Sequence, residues 1–434
     1  MTHSSGFYGW KLLAIFWLIV FTNFAFPLYG VSVINTYMAA DLHMNRAALG
    51  AAYGFFEWMV GLPAPLVAIS INKKGIRFTT LAGCLMVLAG ALLMAFAVRA
   101  LWQVYLVLGV LVGLGALSGG VLAAQASMGR WFVKHKAGAI TLVHTGSSLG
   151  GFVAAPVLNH VIAKFGGNWR AGWVLIAGLS VAASLLASFL IKESPADLGQ
   201  VPDGEVGAAT PSAPGASGGS RAASRGVYKT AEDWTFGEVF RTPAIWLFLI
   251  AMLGFSAGYP LFLAHGVAHL RDLGYTPAAA AFSVSVMLLA SLCGSLFFAG
   301  VADMVEPRFI WAAASALFGV GMILALHASG AAGLYPYAIC LGAGFGISFS
   351  ATMVLPANYY GAHAYAPIVA VAIVVGTTAG AAGPIAAGYI YDRFGSYEPA
   401  FYAVSGLSFL AALLLLFAAP PVRKTARSLA PAVE

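Results

Sequence analysis

Glu57 lies well inside a long apolar stretch, eleven residues past Arg46. At 1.5 Å per residue it sits about 16 Å deep, near the midplane of a ~30 Å hydrocarbon layer. A charged carboxyl costs on the order of 3 kcal/mol to place there, so it must face a polar cavity or hold a proton in at least one state. Low dielectric favours the neutral form of any carboxyl and hydration the charged form, so a carboxyl alternating between the two takes up and releases a proton. The bland alternative is a neutral Glu hydrogen-bonded between helices. His144, eight residues past Lys136, lies roughly 12 Å deep and can relay a proton or bind a carboxylate, or serve only as an interhelical hydrogen bond. His265 and His269 share a helix face at i, i+4. A gate or entry role, interfacial packing and a weak metal pair are all open to them, although two imidazoles without a third ligand rarely hold a metal. Asn23 and Tyr29 flank Pro27, and Tyr259 precedes Pro260. Prolines should kink these helices and expose polar groups to a cavity. Gln125 is a further cavity candidate.

The elements that must position these groups are membrane helices. Of 434 residues, 60% are hydrophobic and 9% charged, with mean hydropathy +0.87, against about 25% charged in a soluble domain. A water-soluble enzyme is therefore excluded. A helix needs ~20 apolar residues to cross a bilayer, and apolar runs fall at 10–38, 46–70, 77–98, 101–128, 137–161, 171–191, 243–269, 277–302, 308–328, 333–356, 366–391 and 397–419. The first run carries Asn23, Pro27 and Tyr29 without a small-residue cleavage site, which predicts a span and not a removed leader. Cys84, Cys293 and Cys340 fall in separate runs and predict no disulfide and no metal site. Glycines at 146, 150 and 151, and at 376, 380 and 383, predict close helix contacts.

Between the sixth and seventh runs, 192–241 has the composition of a flexible linker. Near its end, Thr235 and Glu238 have capping-box spacing. With Trp234, Phe236, Val239 and Phe240 they predict a short interfacial helix before Pro243. Placing both termini and this linker in the cytoplasm puts sixteen Lys and Arg residues there and six opposite, or eleven against six without the linker. That satisfies the positive-inside tendency.

The halves repeat. Phe26-Pro27-Leu28 matches Tyr259-Pro260-Leu261, Asp41-Leu42 with Asn45 matches Asp272-Leu273 with Thr276, and Asn72 matches Asp303. Further on, Gly113 and Gly115 match Gly344 and Gly346, Trp131-Phe132 matches Tyr359-Tyr360, and Gly146 matches Gly376. The offset drifts only from 233 to 228. Two parallel six-helix halves around an axis along the membrane normal are predicted, the organisation of a rocking secondary transporter.

The segment Ala68 to Arg77, with Asn72, Lys73, Lys74 and Gly75, resembles the GxLxDRxGRR loop of the major facilitator superfamily; Asn72 stands at the Asp position. The second copy keeps Asp303 and loses the basic tail. The resemblance implies an all-α fold of twelve transmembrane helices in two pseudo-symmetric bundles. It also implies gating roles for Asn72, Lys73, Arg77 and Asp303, with Asn72 capping a neighbouring helix to lock the bundles together. Tyr8-Gly9-Trp10, Arg130-Trp131-Phe132 with Lys134 and Lys136, Asp233-Trp234-Thr235 leading to Arg241-Thr242-Pro243, and His265 before Asp272-Leu273-Gly274 resemble the bacterial oxalate/formate and monocarboxylate transporter branch. Arg130 joins the gating candidates. One departure stands out. The branch carries an arginine in span 8, often with an acidic partner one turn earlier, and this chain has Ser295 and Ser291 there. Both serines are cavity candidates, and the solute's charge must be met elsewhere.

The expected function is secondary transport of a small organic solute, an organic acid by the resemblance, coupled to protons through Glu57, with His144 as a second candidate. A neutral, cationic or amphipathic solute is the alternative. A non-transporting sensor or scaffold is the alternative of another class. No Walker A sequence and no nucleophile, base and orienter are found, so neither ATP-driven transport nor an enzyme is expected. Neither is a cofactor, a metal or a nucleic-acid partner. The expected setting is a monomer in the cytoplasmic membrane of a bacterium, with the lipid bilayer, the solute and protons as its partners. Asn358-Tyr359-Tyr360 is a further cavity or gate candidate.

Overall fold

The computed structural model describes residues 7–133, 135–204, 227–230, 232 and 234–421. Lys134, Asp233, the centre of the linker with Arg221 and Arg225, and the tail with Arg423, Lys424 and Arg427 lie outside them. Among the described residues, eleven helices are long and apolar enough to cross a membrane: α1 (Tyr8–Asp41), α3 (Ile76–Phe96), α4 (Leu101–Trp131), α5 (Gly138–Lys164), α6 (Arg170–Leu190), α7 (Pro243–Asp272), α8 (Pro277–Val301), α9 (Pro307–Leu326), α10 (Ala332–Gly361), α11 (Pro367–Phe394) and α12 (Glu398–Phe417). The second span, α2, is broken into Arg46–Gly61 and Ala64–Lys74, which meet at 41°. Hydropathy reads it as one straight run. The break falls at Pro63, which has no N–H and whose ring collides with the preceding turn.

The fold is all-α and consists of two pseudo-symmetric six-helix bundles. The repeat is visible in the capping. Asn45 accepts the Ala48 N–H at 2.9 Å at the start of α2, and Thr276 accepts the Ala279 N–H at 3.3 Å at the start of α8. Pro27 acts differently from Pro260. In α1 the five residues Val20–Phe24 form a π-helical turn one turn before Pro27, where the proline ring would strike a regular backbone. By contrast α7 runs on through Pro260.

Large apolar side chains such as Leu66, Phe96, Phe189 and Phe417 are exposed around the outside, as suits a surface solvated by lipid. Both ends of the described chain and the linker lie on one side of the bundles, called the linker face; the opposite side is the far face. The predicted helix near the linker's end is a single turn, Phe236–Val239, and Thr235 and Glu238 bond as a capping box. Its apolar residues do not all face outward as expected. Trp234 and Val239 are buried, and Trp234 meets the Tyr360 ring edge-on at 5.6 Å, whereas Phe236 is exposed.

Candidate functional site

Where α2 of the first bundle meets α11 of the second, glycines remove the side chains that would hold them apart. A Cβ at Gly50 would strike the Pro384 carbonyl oxygen, and one at Gly54 would lie 2.7 Å from the Ala381 carbonyl oxygen. One turn further along this seam stands Glu57. A Cβ at Gly380 of α11 would lie 3.8 Å from its Oε2 and 3.4 Å from Cγ of Pro260 on α7. The carboxyl is therefore at the junction of the two bundles and does not face lipid.

Three phenols lie near it. Tyr53 is one turn earlier on α2 with its hydroxyl buried, and Tyr29 of α1 and Tyr259 of α7 are close enough to interact with the carboxyl electrostatically. Tyr29 Oη is 3.4 Å from Ser147 Oγ of α5. Tyr259 stacks on Phe345 of α10 with centroids 3.6 Å apart, and its buried hydroxyl has no hydrogen-bond partner. The cluster thus offers one acid, several hydroxyl groups and aromatic faces. Lys and Arg occur only in the terminal turns of the spans, so among the described residues no fixed positive charge stands beside them. Sequence reasoning gives no place to Tyr53, although its i, i+4 spacing from Glu57 is legible.

His144 and Gln125 are also brought together, with Nε2 atoms 2.7 Å apart between α5 and α4. Both are half-buried, and among the described residues neither contacts Glu57.

Other candidates point elsewhere. Asn23 is buried within its own bundle with its amide against Gly119 of α4, and neither polar atom has a partner. It lies within the π-turn of α1. Ser295 donates to the Gly346 carbonyl of α10 at 3.0 Å, and the backbone of Ser291 packs at the same glycine. His265 is fully buried, with Nε2 2.9 Å from the Pro384 carbonyl oxygen and Nδ1 3.2 Å from the Tyr397 hydroxyl. His269 meets the Ala325 carbonyl at 3.0 Å. Both rings are bonded to protein groups, and a Cβ at Gly50 of α2 would lie 2.9 Å from Nε2 of His265, so His265 stands at the seam between the bundles. Tyr359 donates to Glu306, the Asn358 carbonyl accepts from Thr230, and Tyr360 bonds Thr242; this cluster anchors the linker's end.

At the linker face the role expected of Asn72 belongs to another residue. Asn72 and Lys73 are exposed. The N-terminus of α3 is capped by Glu193, whose two carboxylate oxygens each accept a backbone N–H at 2.8 Å, from Ile76 and Arg77. Arg130 of α4 is 3.3 Å from the same carboxylate, and the Arg77 guanidinium donates to the Ser188 carbonyl. This lock joins α3, α4 and the end of α6 within one bundle; it does not tie the bundles to each other. Asp303, at Asn72's place in the second half, pairs with Lys229 of the linker at 2.9 Å, both exposed. Glu193→Gln should weaken the cap by about 0.5–2 kcal/mol, the range for loss of a helix N-terminal cap, and lower the melting temperature of the purified protein by a few degrees. An unchanged melting temperature would show that the cap carries no stability.

The far face is closed by charge. Arg46 Nη2 lies 3.2 and 3.0 Å from the two carboxylate oxygens of Asp272, at the end of α7. Asp392 of α11 accepts the N–H groups of Arg46 at 3.0 Å and Ala47 at 2.9 Å. The Arg46 guanidinium also lies 5.1 Å from the centre of the Tyr391 ring.

Comparison with known proteins follows the same lines. The family profile described as Major Facilitator Superfamily matches residues 13–384 and 268–433. The chain is similar to Monocarboxylate transporter 12 of Rattus norvegicus, 24% identical over 95% of this chain and 86% of that protein. It is also similar to Monocarboxylate transporter 13 of Bos taurus, 26% identical over 96% and 90%. Among solved structures, a point mutant of the nucleoside transporter NupG superposes with TM-score 0.71 at 14% identity, covering 94% of this chain and 99% of that one. A bacterial homolog of the human lysosomal transporter Spinster, in an inward-facing and occupied conformation, gives TM-score 0.70 at 15% identity over 96% and 97%. At these identities the structural likeness speaks for the fold alone.

Proposed function

From the premise that the chain belongs to the major facilitator superfamily, a multi-pass membrane transporter and not an enzyme, we propose that it carries a small organic acid together with a proton by alternating access. The observation that carries this reading is Glu57, a carboxyl at the seam of the two bundles. There it is dry when the seam is closed and wet when the bundles part, which is the requirement for taking up and releasing a proton. The relatives' names supply the acid class. Without an arginine in α8, the solute's carboxyl meets the phenols Tyr29, Tyr53 and Tyr259 and a protonated Glu57. Gln125 and His144 form a second polar contact, and Lys73, Arg77, Arg130 and Asp303 act at the linker face. The domains are 1–191 and 242–434, joined by a cytoplasmic linker, and the protein works as a monomer in the cytoplasmic membrane of a bacterium with both termini inside.

Uptake into proteoliposomes of labelled formate, lactate, oxalate, benzoate, benzylamine and benzamide, with and without a pH gradient, tests it. At least one acid should accumulate when the gradient is imposed and none without it. Transport of benzylamine or benzamide with no acid carried would replace this reading with a second one, a cationic or neutral solute. That reading draws on the spans having Lys and Arg only in their terminal turns.

A further inference from the structure

Arg46 and Glu57 are eleven residues apart, just over three turns, so they share the face of α2 that carries Gly50 and Gly54 along the seam. Arg46 therefore stands about 16 Å above Glu57, at the far-face entrance to the same junction. It is not free there. Its guanidinium is occupied by the Asp272 carboxylate through two contacts, and the backbone N–H groups of Arg46 and Ala47 are occupied by Asp392. Both acids belong to the second bundle and Arg46 to the first, so the bundles cannot part on this face unless Arg46 gives up a carboxylate. An uncompensated guanidinium would oppose opening, whereas exchange of one carboxylate for another would not. Asp272 keeps a partner after the exchange, because the Tyr391 hydroxyl, 3.2 Å away, moves with its own bundle.

Other far-face cations are placed differently. Arg170 pairs with Asp41 inside the first bundle at 2.8 Å, Arg271 lies over the Tyr37 ring, and Arg393 is exposed beside Phe394. Among the described residues, Arg46 is the far-face cation held by carboxylates of the opposite bundle.

We propose that Arg46 is the far-face recognition residue for the solute's carboxylate, which opens the gate by replacing Asp272 on the guanidinium. This places the positive charge missing from α8 at the outer end of α2, and it rests on the organic-acid reading above. The gate is then opened by solute of the right charge, and Asp272 is the built-in competitor.

The test uses the full-length protein in proteoliposomes, with spin labels at His43 and Glu398, exposed positions on the two sides of the gate, and the acid that the uptake panel finds carried. In the parent protein that acid should lengthen the label distance. Arg46→Gln should lengthen it without acid and make it insensitive to acid, while raising the far-side KM at least tenfold and leaving the linker-side KM within twofold. Asp272→Asn, with the competitor gone, should lower the far-side KM several-fold. Arg46→Lys should recover part of the far-side affinity, which a purely mechanical latch would not require. If an acid is carried but its far-side KM is the same in Arg46→Gln and Asp272→Asn as in the parent, the proposal is wrong and the transport reading stands. If no acid is carried, the transport reading fails and takes this proposal with it.

Discussion

Glu57→Gln should abolish gradient-driven accumulation while leaving solute exchange in place. One pH unit is worth 1.36 kcal/mol per proton, so a carrier moving one proton per solute sustains about a tenfold concentration ratio across a one-unit gradient. With the amide that ratio falls to one. The substitution keeps the size and hydrogen-bonding capacity of the side chain, so the seam, where Glu57 faces Gly380 and Pro260, should still close. Counterflow of labelled against unlabelled solute, which needs closure but no net proton movement, should persist. The two assays separate loss of coupling from loss of folding. Undiminished accumulation by the Gln variant would remove Glu57 from the mechanism and leave His144 as the next group to test.

A second large effect is expected at Gly50. It is buried against the Pro384 backbone carbonyl of the opposite bundle, and a side chain there would collide with an oxygen that has no freedom to rotate away. Overpacking of this kind costs about 1–3 kcal/mol. Here the cost falls on the far-face-closed state, because parting of the bundles relieves it. Gly50→Val should shift the equilibrium by about 5–150-fold toward the far-face-open form, since each 1.4 kcal/mol is tenfold. Transport should fall by about severalfold to a hundredfold in a protein that remains folded, and the His43 to Glu398 label distance should lengthen without solute. Gly178→Ala is the control, because no atom lies within 4 Å of the added Cβ. Normal transport by Gly50→Val would show that the two helices separate at this point only slightly during the cycle.

Glu57 and Asn23 illustrate where the sequence stops being informative. Both are polar residues in apolar runs; the sequence reads Glu57 as a proton-coupling group and Asn23 as a cavity residue. Glu57 sits on the stripe of α2 that carries Gly50 and Gly54, and that stripe faces α11. Asn23 lies in the π-turn before Pro27 and is directed into its own bundle against Gly119. A π-turn changes the angular register of every side chain around it, so a count at 3.6 residues per turn gives the wrong face. The setting of His265 is likewise beyond local pattern: its partners Pro384 and Tyr397 lie 119 and 132 residues away, and no short segment records that they bond both ring nitrogens.

Span positions and the two-bundle duplication were set by the sequence alone. Each depends on local hydropathy or on matching short segments, and the cost of burying a polar backbone in lipid leaves a helix as the answer for each run. Tertiary structure decided which face of each helix meets the other bundle, and which charges meet. Asp392 caps a helix that begins 346 residues earlier, and Glu193 takes the place expected of Asn72 across 117 residues. Such pairings are fixed by the packing of whole helices, where glycines allow close approach and a proline breaks α2. Charges at the ends of spans are free to choose partners only after that packing has brought them within a few ångströms of one another.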